Sequence, residues 1–244
     1  MQRPEARLGL HGGARLASLA RAAYRWAMRA FQWMSVTAFA LLAAAAVAQP
    51  AGTHEHGFSD ADKWAHVFDD PSRDAWQKPH EVIAALALKP DGKVADIGAG
   101  TGYFSARLSK MLPKGTVYAV DIEPEMVEYL KQRARREGLK NVVAVLARPD
   151  EVHLPAKVDL VLLVDVYHHI GSRAQYFEKL KTSLVPGGRV AVIDFRPEAK
   201  QGPRPASRVA AQTVKQELAA AGYALAAEHT FLPEQYFLVF SAAH

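Results

Sequence analysis

Three glycines at alternate positions behind an aspartate, in Asp96-Ile97-Gly98-Ala99-Gly100-Thr101-Gly102, are followed nineteen residues after Gly102 by a second acid, Asp121. Glycine lets a backbone turn sharply and approach a ligand, and the helix start that such a loop feeds favours an anionic group. An acid closing the next strand is placed to accept hydrogen bonds from ribose hydroxyls. The pattern points to an adenosine-bearing ligand. A dinucleotide fingerprint needs its third glycine where Tyr103 stands, and no Gly-Lys-Ser/Thr follows the loop, so a nicotinamide dinucleotide and a P-loop nucleotide are both disfavoured.

Those residues need a strand in front of the loop and a helix behind it. The run 93–97 reads as strand one, and Phe104, Leu108, Met111 and Leu112 recur at helical spacing after it. A second strand over 116–120 ends at Asp121. Pro124 then suits a first helical turn, Met126, Tyr129 and Leu130 make the buried stripe, and Gly138 ends that helix. Strand three is expected over 142–146 and strand four over 160–164, a continuous apolar run of the kind that a sheet covered on both faces requires. Ser172 and Gln175 have the spacing of a capping box for a helix through Leu184. Pro186-Gly187-Gly188 turns the chain into strand five over 190–193, and a last helix is expected from about 207 to 221. The final strands, around 224–230 and 236–240, are joined by too few residues for a parallel crossover and should pair as an antiparallel hairpin. The expected fold is α/β, a Rossmann-like, seven-stranded, mostly parallel sheet with an antiparallel C-terminal hairpin and helices on both faces. Short helical pieces over 60–90, broken by Pro71 and Pro79, are candidates for a lid on a single domain spanning 60–244.

Half of the 244 side chains are hydrophobic and 23% are charged, enough for a sizeable core. The absence of cysteine removes disulfides, thiolate nucleophiles and cysteine-ligated zinc. The formal charge of +5 lies wholly in residues 1–48, where six arginines face one acid, and the remaining 196 residues sum to zero. Such a neutral body lacks the electrostatic footprint of a nucleic-acid binder, and no nucleic acid is expected as a partner. An apolar run over 31–48, led by Arg29 and closed by Ala46-Val47-Ala48 before Gln49-Pro50, has the layout of a secretory signal peptide. Cleavage after Ala48 into the periplasm or beyond is the expectation, leaving no stable membrane span. The alternative is an uncleaved leader that anchors the protein to the inner membrane. Residues 1–27 read as lying upstream of a true start at Met28 or Met34, and 49–59 as a linker. Its His54 and His56 have an H-x-H spacing that can hold a metal, but a solvated linker is the preferred reading and no metal site is expected.

VADIGAGTGYF, VYAVDIEPEM and LVPGGRVAVID resemble, in order and at family-like spacing, the motifs of the class I S-adenosylmethionine-dependent methyltransferases, over about 60–244. WAHVFDDPSRDAWQKP is further similar to a bacterial group of exported methyltransferases. The resemblance implies S-adenosyl-L-methionine as cofactor. Its methionine end would lie on Asp96, Gly98, Ala99, Gly100, Thr101 and Gly102, its ribose on Asp121, its adenine face against Ile122 and its amino group on Asp150, which Leu154-Pro155 follows at the family's offset. It also implies that Asp165-Val166-Tyr167-His168-His169 borders the acceptor. A neutral imidazole accepts a proton near neutral pH, so His168 or His169 is the candidate general base, with Asp165 and Tyr167 as orienters or alternatives. Adjacent side chains leave a strand or helix in different directions, so one histidine should face the site while the other packs or caps. Arg73 and Trp76 stand where related folds place helices over the acceptor, and are candidate substrate residues. Alignment of reactants alone can supply about 7 to 11 kcal/mol, so the lack of a second catalytic motif does not count against catalysis. The expected activity is methyl transfer to a small-molecule acceptor, with the acceptor atom and the oligomeric state open. The alternative is an exported cofactor-binding module without turnover.

Overall fold

In the computed structural model, residues 60–151 and 153–242 are described, so the leader, the 49–59 linker and the His54/His56 pair lie outside the described residues. Three short helices come first, α1 (Ala61–Phe68), α2 (Arg73–Gln77) and α3 (Pro79–Ala85). Pro79 opens α3 at its first turn, where its missing N–H costs nothing. The elements β1 (Lys93–Ile97), α4 (Tyr103–Met111), β2 (Thr116–Asp121), α5 (Pro124–Arg136) and β3 (Val142–Leu146) follow in alternation. The second half contains β4 (Val158–Val164), α6 (Arg173–Leu180), β5 (Leu184–Phe195), α7 (Ala211–Ala220), β6 (Tyr223–His229) and β7 (Gln235–Ala242).

The seven strands form one sheet in the order β3-β2-β1-β4-β5-β7-β6. The first five run parallel, while β7 is antiparallel to both β5 and β6. Strand alternation sends one set of side chains to each face. Val94, Leu160, Leu162, Ile193 and Phe237 meet α3 and α4 through Val82, Ile83, Phe104 and Leu108. On the other face, Ile97, Val161, Leu163, Val192 and Leu238 meet α6 and α7 through Phe177, Leu180, Val214 and Leu218. In β4, only Asp159 is exposed, as a strand buried on both faces demands. Among the described residues, no helix is long and apolar enough to cross a membrane.

Local chemistry moves several boundaries from their expected places. The fifth strand starts earlier than expected, because Pro186, Gly187 and Gly188 bulge out of a strand that pairs on both sides of them. Leu184 lies opposite Val158 and Arg189 opposite Leu160. Pro186 has no N–H for the ladder and Gly187 takes a φ of 76°, so the extra residues loop out without ending the strand. The capping box at Ser172 does not form. Ser172 has a φ of 44° and its side chain caps nothing, while Arg173 donates to the Ile170 carbonyl. The last helix begins at Ala211 rather than near 207, since Pro205–Ser207 forms a separate 3-10 turn and Arg208 is extended. Met111, expected on the buried face of its helix, is 55% exposed, and Tyr129 is only half-buried.

Candidate functional site

Strand order reverses between β1 and β4, and in open sheets such a switch point opens a crevice outside the carboxyl ends of the strands. Four neighbouring strands each bring an aspartate to this edge: Asp121 from β2, Asp96 from β1, Asp165 just after β4, and Asp194 from β5. The glycine loop crosses the crevice from β1. A Cβ on Gly98, whose φ is 68°, would lie 2.3 Å from the Val166 side chain, so the loop and the turn after β4 touch directly. One on Gly102, at a φ of 90°, would meet Leu130 at 2.8 Å. Side chains at these positions would collide with Val166 and Leu130, so glycine is what lets the loop pack this closely.

Asp121 receives the Gly100 N–H on one oxygen at 2.8 Å and the Glu123 N–H on the other at 3.0 Å, bonds that fix the carboxylate at the rim of the loop. Burial raises its pKa against those bonds. Ile122 follows it, 39% exposed. Asp96 turns inward and accepts the Ser105 hydroxyl at 2.6 Å, tying β1 to α4, and burial pushes its carboxyl up to about 6. Thr101 is buried, and its hydroxyl has no hydrogen-bond partner among the described residues.

The short helices close over this loop. Phe68 lies 3.3 Å from where a Gly100 Cβ would stand, and Arg133 of α5 binds both Asp69 oxygens, at 2.9 and 3.0 Å, and the Thr101 carbonyl at 2.9 Å. The Tyr103 hydroxyl donates to Asp74, which also receives Arg107. Tyr103 thus works at the position that denied the dinucleotide fingerprint. Arg73, Gln77, Gln235 and Asp165 form a closed ring. Arg73 donates to Gln77 (3.1 Å) and Asp165 (3.4 Å), Gln77 donates to Gln235 (2.6 Å), and Gln235 donates to Asp165. Burial pushes the Asp165 carboxyl up to about 7, against the Arg73 charge, and its backbone stands at a φ of 61°. Trp76, half-buried, meets the Phe195 ring at 5.7 Å.

The two histidines share one 3-10 turn, Tyr167–His169, and their rings lie 4.0 Å apart, so they do not diverge as expected. A single tight turn follows neither strand nor α-helical periodicity. His168 is the inner one, with its Nδ1 at 3.0 and 2.9 Å from the two Asp194 oxygens. Burial alone would lower its pKa, but the bond to Asp194 and the charges of Asp194 and Asp165 raise it instead.

The structure brings Asp96, Gly98 to Gly102, Asp121, Asp165, His168 and Arg73 to the carboxyl edge of the strands. Tyr167 does not join them. It is fully buried, stacked on Phe177, and donates its hydroxyl at 2.5 Å to Glu217, which Arg173 also holds, so it is a core residue rather than an orienter. Asp150 stands on an exposed turn bounded by the Arg148/Glu151 bridge. Sequence reasoning passed over Asp194 and Gln235. The available signal was an acid ending the apolar run 190–193, the same pattern that singled out Asp121.

Residues 88–230 match the family described as Methyltransferase domain. A protein-L-isoaspartate O-methyltransferase of Pyrococcus horikoshii is 36% identical over 136 residues, 53% of this chain and 59% of the relative. A demethylmenaquinone methyltransferase of Deinococcus radiodurans is 28% identical over 153 residues, 62% of each. The chain spans about half the length of the first curated relatives it matches. The crystal structure of a SAM dependent methyltransferase from Aquifex aeolicus superposes with a TM-score of 0.71 at 29% identity, covering 77% of this chain and all of that one. With a glycine cradle on β1, an acid closing β2 and this likeness together, the chain belongs to the methyltransferase-domain family, as an S-adenosylmethionine-dependent member.

Proposed function

We propose that the protein transfers a methyl group from S-adenosylmethionine to a small-molecule acceptor at the carboxyl edge of β1, β4 and β5. The observation that carries this reading is the meeting of the glycine cradle with the His168 turn across the switch point, at the Gly98–Val166 contact. The residues fit the cofactor. The glycines let the loop pack directly against Val166, Phe68 and Leu130, and the buried Thr101 hydroxyl is an unspent polar group in the loop. Burying such a group without a partner costs about 1–3 kcal/mol, which a ligand atom would recover. When bound, S-adenosylmethionine supplies a methyl carbon already activated by a sulfonium leaving group. The chain's own part is to hold and align. Asp121 would hold the ribose hydroxyls with the lone pairs that Gly100 and Glu123 leave free, and Ile122 would cover one adenine face. Arg73 and Trp76 would close the acceptor side. The curated relatives act on acceptors as different as isoaspartate and demethylmenaquinone, to go by their names. The buried Gln77–Gln235 bond over the crevice supports a small acceptor enclosed by the lid.

Calorimetric titration of the full chain with S-adenosylhomocysteine tests the reading. Binding is expected, weakened at least tenfold by Asp121→Ala, and folded protein that binds nothing would refute it. Export is the second part of the proposal, supported by the leader sequence, with the single domain 60–244 following it. Mass spectrometry of protein recovered from the periplasm is expected to find Gln49 at the N-terminus, and an intact leader would favour the anchored form.

A further inference from the structure

Asp194 and His168 come from neighbouring parallel strands. Asp194 is the penultimate residue of β5, 1% exposed, and His168 sits in the turn after β4 with its side chain 5% exposed. Both Asp194 oxygens already accept backbone N–H groups, Phe195 at 2.8 Å on Oδ1 and His168 itself at 3.2 Å on Oδ2. A carboxyl that receives donors on both oxygens is an acceptor-only carboxylate, so the contact to His168 Nδ1 requires the proton to stand on Nδ1. In the neutral ring that leaves the lone pair on Nε2. The geometry is that of an imidazole whose tautomer is set by an acid behind it, an arrangement that general-base catalysis uses.

We propose that Asp194 is a positioning residue that holds His168 as the proton acceptor of the transfer, and that the methyl acceptor is a phenolic hydroxyl. This rests on the methyltransferase reading above and deepens it. The balance is simple. The acceptor's O–H proton passes to His168 Nε2, the oxygen pair thus freed forms the new O–CH3 bond, and the C–S pair stays on sulfur. The products are an aryl methyl ether, a neutral thioether and an imidazolium, which returns its proton to solvent.

Two other acceptor classes fit less well. A carboxylate is ionised at neutral pH and needs no base. An ammonium would seek a free carboxylate at the acceptor edge, but Asp165 is taken by Arg73 and Gln235, and Asp194 by His168 and two amides. A phenol has a pKa of about 10, the value of a tyrosine hydroxyl, and so needs a base. The lid adds an aromatic side chain beside β5. Trp76 is half-buried against Phe195, the residue after Asp194, and the Arg73 guanidinium lies 5.8 Å over its indole. Asp165 links the two sides, since it bonds Arg73 and its charge acts on His168. Charged and titratable groups around the imidazole are Asp194 from β5, Asp165 after β4 and His169 on the same turn, with Arg73 and Tyr236 acting on these acids.

The test uses the full chain, methyl-labelled S-adenosylmethionine and a series of para-substituted phenols from cresol to nitrophenol. Wild type is expected to methylate the series. For the least acidic phenols, kcat/KM should fall at low pH with an imidazole titration, whereas nitrophenol, ionised near neutral pH, should not need the free base. His168→Gln and Asp194→Asn should cost the least acidic phenols about 10²- to 10⁴-fold in kcat/KM. Nitrophenol should lose far less, with S-adenosylhomocysteine binding unchanged. A structural role for the pair would depress all phenols alike, and that result overturns the proposal. So does cofactor binding without transfer to any phenol, which leaves the methyltransferase reading standing. Should the variants not fold, 15N spectra of wild-type imidazoles decide. Above the raised pKa of the ring, a protonated Nδ1 and bare Nε2 at His168 are expected, and the opposite tautomer overturns the assignment.

Discussion

Tyr167 and His168 are adjacent, yet one belongs to the core and the other to the crevice. The difference lies in their partners, Glu217 of α7 for the phenol and Asp194 of β5 for the imidazole. Tyr167→Phe should therefore cost about 0.5–1.5 kcal/mol of stability for the lost hydrogen bond. It should leave S-adenosylhomocysteine affinity unchanged, as a chemical-denaturation series beside calorimetry would show. An unchanged stability with weakened binding would return Tyr167 to the site. Contiguous signatures made the cofactor side legible residue by residue, because Asp96, the glycines and Asp121 lie within one strand-loop-helix-strand unit. Asp194 and Gln235 act on partners 26 and 70 or more positions away, and no local pattern announces a pairing made by sheet order.

The segment between β5 and α7 shows how a single side chain can shape an element. Arg208 donates to four loop carbonyls, those of Pro197, Pro203, Ala199 and Gln201, at distances from 2.6 to 3.2 Å. A Cβ on Gly202 would lie 2.7 Å from the Phe195 ring, so the loop rests on the aromatic pair behind the lid. Arg208→Ala should open 197–207 to limited proteolysis and speed its amide exchange at least tenfold, without speeding exchange in β1 or β4. Equal exchange in variant and wild type would show that the loop holds by other means. Apolar periodicity predicted the strands and the switch of period at each helix, but helix ends moved wherever a side chain found a tertiary partner. Arg208 sits within the stretch 207–221 that reads as helix, and its bonds to the loop keep that residue extended.

For the whole molecule, the cluster of buried carboxyls sets a pH dependence. Asp96 and Asp165 ordinarily titrate near 3.8 and are pushed up to about 6 and 7 by burial. Between those limits the folded chain binds more protons than the unfolded one, so stability falls as pH rises. His168, raised from 6.5, carries the same sign to higher pH, because its favourable charge is lost as it deprotonates. Urea midpoints should be higher at pH 5 than at pH 8, with the slope reduced in Asp165→Asn, and a midpoint that rises over this range would contradict the burial of these acids. The overall architecture was legible because strands buried on both faces alternate with amphipathic helices, and that pattern admits few topologies.

The position of β7 inside the sheet has one more consequence. It follows every other strand of the sheet in sequence, yet it lies between β5 and β6 and delivers Gln235 to the ring around Asp165. A chain emerging from the ribosome therefore has the glycine loop and Asp121 long before it can close the lid ring. Synthesis imposes a schedule on assembly, in which the cradle can form early and the enclosure must wait for β7.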